Sequence, residues 1–130
     1  MTFSRFCRAL PILVLLGLPF VATATDTLEG ISELTPAQAA QLEGEVVYLD
    51  VRSSIEWWQG HVKGAVHIPH QDVSEKAEAR LDKDIPIVTY CAVGGRASRV
   101  VKDLEAMGFR VVPVTGGGFK DLVDAGLDRE

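Results

Sequence analysis

An α/β fold is what the sequence predicts: an open, mainly parallel five-stranded sheet with helices on both faces. Three observations predict it. Short apolar, β-favouring runs alternate with helix-like segments between residues 31 and 126. Two of the runs, Val46–Leu49 and Ile85–Tyr90, are apolar almost throughout, as expected of strands covered on both faces. Asp50, Cys91 and Thr115 each directly follow a run, at the strand ends where sites gather in such sheets.

The elements follow in order. Ile31-Ser32 predicts a short first strand. Thr35-Pro36-Ala37-Gln38 opens a helix, with a threonine cap, proline in the first turn and glutamine three residues after the cap; Gly44 ends it after about Glu43. Val46–Leu49 is the second strand. Ser53–Gln59 reads as a short helix capped by Ser53 or Ser54 and stopped by Gly60. Ala65–Ile68 is a brief strand that Pro69 terminates. Asp72–Leu81 is mostly charged, with Val73, Ala77 and Leu81 as a narrow apolar stripe on an exposed helix. Ile85–Tyr90 is the fourth strand. Apolar residues at 97, 100, 101, 104 and 107 give the next helix, which Gly108 closes. Arg110–Val114 is the fifth strand, where Pro113 marks an edge or an irregular end. Gly116-Gly117-Gly118 turns into a last helix, Phe119–Ala125, before Gly126.

The chain begins with Arg5 and Arg8, an apolar run from Ala9 to Val21, and then Ala22-Thr23-Ala24. This is the order of a secretory signal peptide: a positive start, an apolar centre and a small-residue cleavage site. A membrane span needs about 20 apolar residues, and this run is shorter and interrupted by Pro11, Gly17 and Pro19. The division expected is 1–24 signal peptide and 25–130 one domain, periplasmic or secreted, without stable membrane association after cleavage. Loss of Arg5 and Arg8 leaves eleven basic and eighteen acidic residues, a net charge of −7. An acidic domain with no basic stripe excludes nucleic acid as the expected partner. Cys7 leaves with the signal, so Cys91 has no internal partner and a disulfide scaffold is excluded.

Cys91 is the chemical centre of the sequence. Strand 85–90 delivers it into Ala92-Val93-Gly94-Gly95-Arg96, whose peptide N–H groups can curl around the sulfur while the next helix presents its positive end. Gly94 and Gly95 allow the tight curl, and Arg96 adds a permanent positive charge. All of these stabilise negative charge on sulfur, the form in which cysteine is a nucleophile. The alternative is a small buried hydrophobe. His61, His67 and His70 lack the spacing of metal ligands, and neither a metal nor a cofactor is expected.

Two segments resemble the rhodanese family of sulfurtransferases. Asp50-Val51-Arg52-Ser53-Ser54-Ile55-Glu56-Trp57-Trp58-Gln59-Gly60-His61-Val62-Lys63-Gly64-Ala65-Val66-His67-Ile68-Pro69 is similar to the family's long signature, and Cys91-x-x-Gly94-x-Arg96 to its active-site loop. Gly116-Gly117 before a short helix matches the closing segment. The similarity runs from about Ile31 to Gly126, and an exported single-domain chain is most similar to the periplasmic phage-shock-type rhodaneses. The resemblance implies a rhodanese-like domain in which Cys91 attacks the outer sulfur of thiosulfate or a persulfide, becomes a persulfide itself, and passes that sulfur to a thiol or cyanide. Ala92, Val93, Gly94, Gly95 and Arg96 would then bind the donor. Asp50, Arg52, Glu56 and His61 would brace the site rather than act as acids or bases. No cofactor is implied.

Only four residues separate Cys91 from Arg96. The related phosphatases place five there to wrap a phosphate, so the shorter ring suits a sulfur atom and disfavours phosphatase or arsenate reductase chemistry. Thiosulfate-active members of the family often carry a basic residue directly after the cysteine, where this chain has Ala92. That departure motivates an alternative: a module that carries persulfide sulfur for a partner protein without turning over.

Overall fold

The computed structural model describes residues 27–130, so the expected signal peptide lies outside the described residues. Four strands form one sheet: β1 Val47–Asp50, β2 Val66–His67, β3 Ile87–Tyr90 and β4 Val111–Pro113. Their order is β2-β1-β3-β4 and every pairing is parallel. The chain reverses its direction of winding between β1 and β3, which makes the carboxyl ends of those two strands the crevice where a site belongs. Asp50 closes β1 and stands in register with Tyr90, the residue before Cys91.

Four strands form where five are expected. Beside β4, in place of a strand at Ile31-Ser32, stands a single parallel bridge between Leu34 and Val114. Leu34 N–H donates to Pro113 O at 3.0 Å, and Thr115 N–H donates to Leu34 O at 2.9 Å. Two local causes limit the ladder. Pro113 has no N–H to extend it, and Thr35 caps helix α1 (Pro36–Ala40) in a reciprocal box with Gln38, so the chain turns one residue after the bridge.

Helices cover both faces. On one side α3 (Val73–Arg80), α4 (Gly95–Arg99) and α5 (Val101–Ala106) bury Val73, Ala77, Ala97, Val100 and Leu104 against Leu49, Ile87 and Val111. On the other, α1 and α6 (Phe119–Asp124) bury Ala39 and Leu122 against Tyr48, Val88 and Val112. Successive strand residues thus feed opposite cores, which explains the nearly unbroken apolar runs. The helix expected across 97–107 begins earlier, at Gly95, and is interrupted at Val100, whose ψ of −12° ends α4 and opens α5. Helix α2 (Ser54–Gln59) begins as expected, its N-cap Ser53 sharing a capping box with Glu56.

Tyr90 links strand to loop. Its side chain is wholly buried, burial holds its hydroxyl protonated far into alkaline conditions, and that oxygen accepts Val62 N–H at 3.1 Å. Replacing Tyr90 by Phe leaves the Val62 N–H buried and unpaired, which costs about 1–3 kcal/mol. Urea denaturation should show a lower midpoint with an unchanged slope.

Candidate active site

β3 carries the chain into the molecule's interior, and Cys91 follows it with no exposed surface. The main chain then turns back on itself through Gly94, at φ +101°, a left-handed conformation that favours glycine. Space is tight as well, because a Cβ there would sit 3.3 Å from the Val114 carbonyl. The turn aims Gly94 N–H at Cys91 Sγ, 3.0 Å away. Of the amides expected to cradle the sulfur, this one makes the contact. The helix that opens here, α4, is only five residues long, so its dipole adds less than a long helix would.

The loop is fastened at several points. Ser98 gives both its N–H (3.1 Å) and its hydroxyl (3.0 Å) to Gly94 O, and Thr89 Oγ1 donates to Ala97 O at 3.2 Å. Phe119 N–H donates to Cys91 O at 2.9 Å. That last bond needs the chain to pass very close, and Gly118 provides the passage: a Cβ at Gly118 would overlap the carbonyls of Cys91 and Ala92. The glycine triplet is visible in the sequence, but only the fold shows that its third member, not its first two, abuts the cysteine.

The charged residues divide into two pairs. Asp50, fully buried, accepts from Arg52 main-chain N–H at 2.9 Å, from Nε at 3.0 and 3.1 Å, and from Nη2 at 2.7 Å. Arg52 also donates to Gly60 O at 2.7 Å and lies 4.3 Å from the centre of the Phe119 ring. Burial disfavours the charge on Arg52, but its bonds to Asp50 outweigh that and hold it protonated. Glu56 does not join this cluster. It receives Arg96 Nη1 at 2.6 Å and Nη2 at 2.9 Å, a bidentate pair across forty positions of sequence, and also Ser53 Oγ at 3.0 Å. The guanidinium expected to face a donor anion is therefore turned to a carboxylate.

His61 makes its contacts away from the sulfur. Nδ1 lies 3.0 Å from Trp57 O, Nε2 lies 3.7 Å from Glu130, and the ring stacks on Trp57 at 3.3 Å between centroids. His67 stacks on Trp57 as well, at 4.8 Å, and its Nε2 lies 2.8 Å from Arg52 O. Trp57 is thus half-buried and stacked on two imidazoles, whereas Trp58 is 84% exposed. Nothing in the sequence pattern singles out this stack, because its members belong to three different segments. Among the described residues no group of three or more histidine, cysteine or acidic side chains is placed to hold a metal ion.

A parallel sheet ending in a cysteine loop of this form defines a recognisable class. The family model for the rhodanese-like domain matches residues 35–125, and the chain belongs to that family. Among its relatives, the candidate sulfurtransferase YtwF of Bacillus subtilis (strain 168) is 37% identical over 90 residues, covering 69% of this chain and 86% of that one. The thiosulfate sulfurtransferase PspE of Escherichia coli (strain K12) is 36% identical over 76 residues, covering 58% and 72%. The crystal structure of a rhodanese-related protein from Thermoplasma volcanium superposes with a TM-score of 0.69 at 25% identity, covering 76% of this chain and 97% of that one.

Two outcomes test the bracing. Arg96, through its hydrogen bonds, and then Ser53 hold the Glu56 carboxyl at about 2, against an ordinary 4.5. A depressed carboxylate contributes stability above the unfolded-state value and loses it as pH falls from about 4.5 towards 2. With both partners partly exposed, the loss is about 1–2 kcal/mol. Glu56→Gln should flatten that part of the pH–stability curve in denaturant titrations. Separately, Gly118→Ala should destabilise by about 2–3 kcal/mol, because backbone must move to admit the methyl group; thermal unfolding reads it.

Proposed function

We propose that this chain is a sulfurtransferase that moves sulfane sulfur from thiosulfate or a persulfide to a thiol or cyanide through a persulfide on Cys91. The observation that carries this reading is a sulfur held by a loop amide, Gly94 N–H to Sγ at 3.0 Å, at the carboxyl end of a parallel strand in a rhodanese-like domain. The names of its relatives support the same reaction class.

The Cys91 thiolate attacks the outer sulfur of the donor. The donor's S–S bond breaks, and sulfite or a thiolate leaves with the electron pair. The acceptor then attacks the outer sulfur of the Cys91 persulfide and regenerates the thiolate. Gly94 N–H can donate to sulfur in either state without a side chain having to move. Cys91 is buried, so the donor approaches through the exposed rim of the loop, at Ala92, Val93 and Gly95.

Export fits the same proposal, since Arg5, Arg8, the apolar run 9–21 and Ala22-Thr23-Ala24 form a signal peptide. A persulfide carrier is the second reading. The engagement of Arg96 with Glu56 favours it by leaving thiosulfate without a free guanidinium at the loop.

Incubation with thiosulfate and cyanide should yield thiocyanate, and Cys91→Ser should lower the rate by about a thousandfold or more. Undiminished rates in that variant would refute the assignment. Intact mass separates the carrier: a stable one-sulfur adduct on Cys91 with negligible thiocyanate release.

A further inference from the structure

Residues 128–130 lie antiparallel to 61–63, with Arg129 bridged to Val62. Three main-chain bonds hold them there: His61 N–H to Glu130 O at 3.0 Å, Glu130 N–H to His61 O at 2.8 Å, and Lys63 N–H to Asp128 O at 2.9 Å. Val62, at the centre of this pairing, gives its own N–H to the Tyr90 hydroxyl at 3.1 Å. Tyr90 directly precedes Cys91, so the segment is tied to the cysteine from the strand side.

The Arg129 side chain reaches the cysteine from the other side. Its Nη2 donates to Gln59 O, on the last residue of α2, at 2.8 Å. Gly60 clears the space, since a Cβ there would overlap the Arg129 guanidinium. The guanidinium carbon of Arg129 lies 5.5 Å from the centre of the Phe119 ring, which Arg52 approaches to 4.3 Å. A cation is attracted to the face of an aromatic ring, and Asp50 balances the charge of Arg52, so a second cation can share the ring. Phe119 is also the residue whose N–H meets the Cys91 carbonyl at 2.9 Å. Holding its ring restrains the main chain from which the ring grows, and with it the carbonyl of Cys91.

We propose that Arg129 is a positioning residue for Cys91, acting through Phe119. The proposal rests on the sulfurtransferase reading and adds a residue far along the chain to its machinery. Cys91 Sγ attacks the outer sulfur of the donor in line with the donor's S–S bond; that bond breaks, and sulfite or a thiolate leaves with the electron pair. A small rotation of the Cys91 main chain takes Sγ off that line, which slows attack without weakening donor binding.

Sulfur loading of Cys91 from thiosulfate, followed by rapid quench and intact mass, separates the two effects. In Arg129→Ala the loading rate at saturating thiosulfate should fall about three- to tenfold, while the half-saturating concentration stays within about twofold of native. Arg129→Lys, which keeps a cation for the ring, should recover most of the loss. Phe119→Leu should slow loading by itself, and adding Arg129→Ala to it should change the rate by less than about twofold, because the path through the ring is already gone. Amide hydrogen exchange gives a readout independent of sulfur chemistry: in Arg129→Ala the Phe119 N–H should exchange about tenfold faster, with the Val88 N–H in the sheet unchanged.

A folded Arg129→Ala protein that loads at the native rate overturns the proposal. So do losses from Arg129→Ala and Phe119→Leu that multiply in the double variant. A loss confined to the half-saturating concentration and erased by salt also overturns it, by making Arg129 a charge for the donor. If native protein takes no sulfur from thiosulfate or from a persulfide, the sulfurtransferase reading fails. Phe119 exchange then decides alone whether Arg129 holds Cys91, and unchanged exchange overturns that hold.

Discussion

Helix α2 has no fully buried side chain, so apolar burial does not fix its place. What fixes it is polar and aromatic: the bidentate contact from Glu56 to Arg96, the capping box with Ser53, and the stacking of Trp57 on His61 and His67. The first of these reaches the cysteine loop directly. Helix and loop therefore share one constraint. In sequence Glu56 groups with Asp50 and Arg52, four positions before it, as one set of bracing residues. The fold gives Arg52 to Asp50 and leaves Glu56 for a residue forty positions on.

The two ion pairs differ in kind. Asp50–Arg52 is buried, satisfied on every oxygen, and stacked against Phe119; removing either partner would strand a charge in the interior. Glu56–Arg96 is partly exposed, with side chains about a quarter to a third accessible, so water can replace either partner at modest cost. The first holds the interior of the site, and the second joins α2 to the loop at its surface.

Most of the fold was legible because its signals are local. Alternating apolar runs, the Thr35 and Ser53 caps and the stops at Gly60 and Gly108 all depend on neighbours in sequence. The missing fifth strand is also local in origin, since Pro113 and the Thr35 cap leave room for one bridge only. What sequence could not supply were distances across the fold. The turn of Arg96 toward Glu56, the approach of Gly118 to the Cys91 carbonyl, and the single amide on Sγ each require segments brought together by the sheet. Cys91 joins both descriptions the sequence left open: it belongs to the apolar core and its sulfur accepts a hydrogen bond.

The chain's two tryptophans are consecutive residues in opposite surroundings. Trp58 stands in water at 84% exposed, while Trp57 is half-buried and stacked on His61 and His67. Unfolding changes little around the first indole and strips the second of its stacking partners. The change in intrinsic fluorescence on unfolding therefore comes from Trp57, and it gauges whether α2 is seated rather than the state of the sheet's interior, which holds no tryptophan.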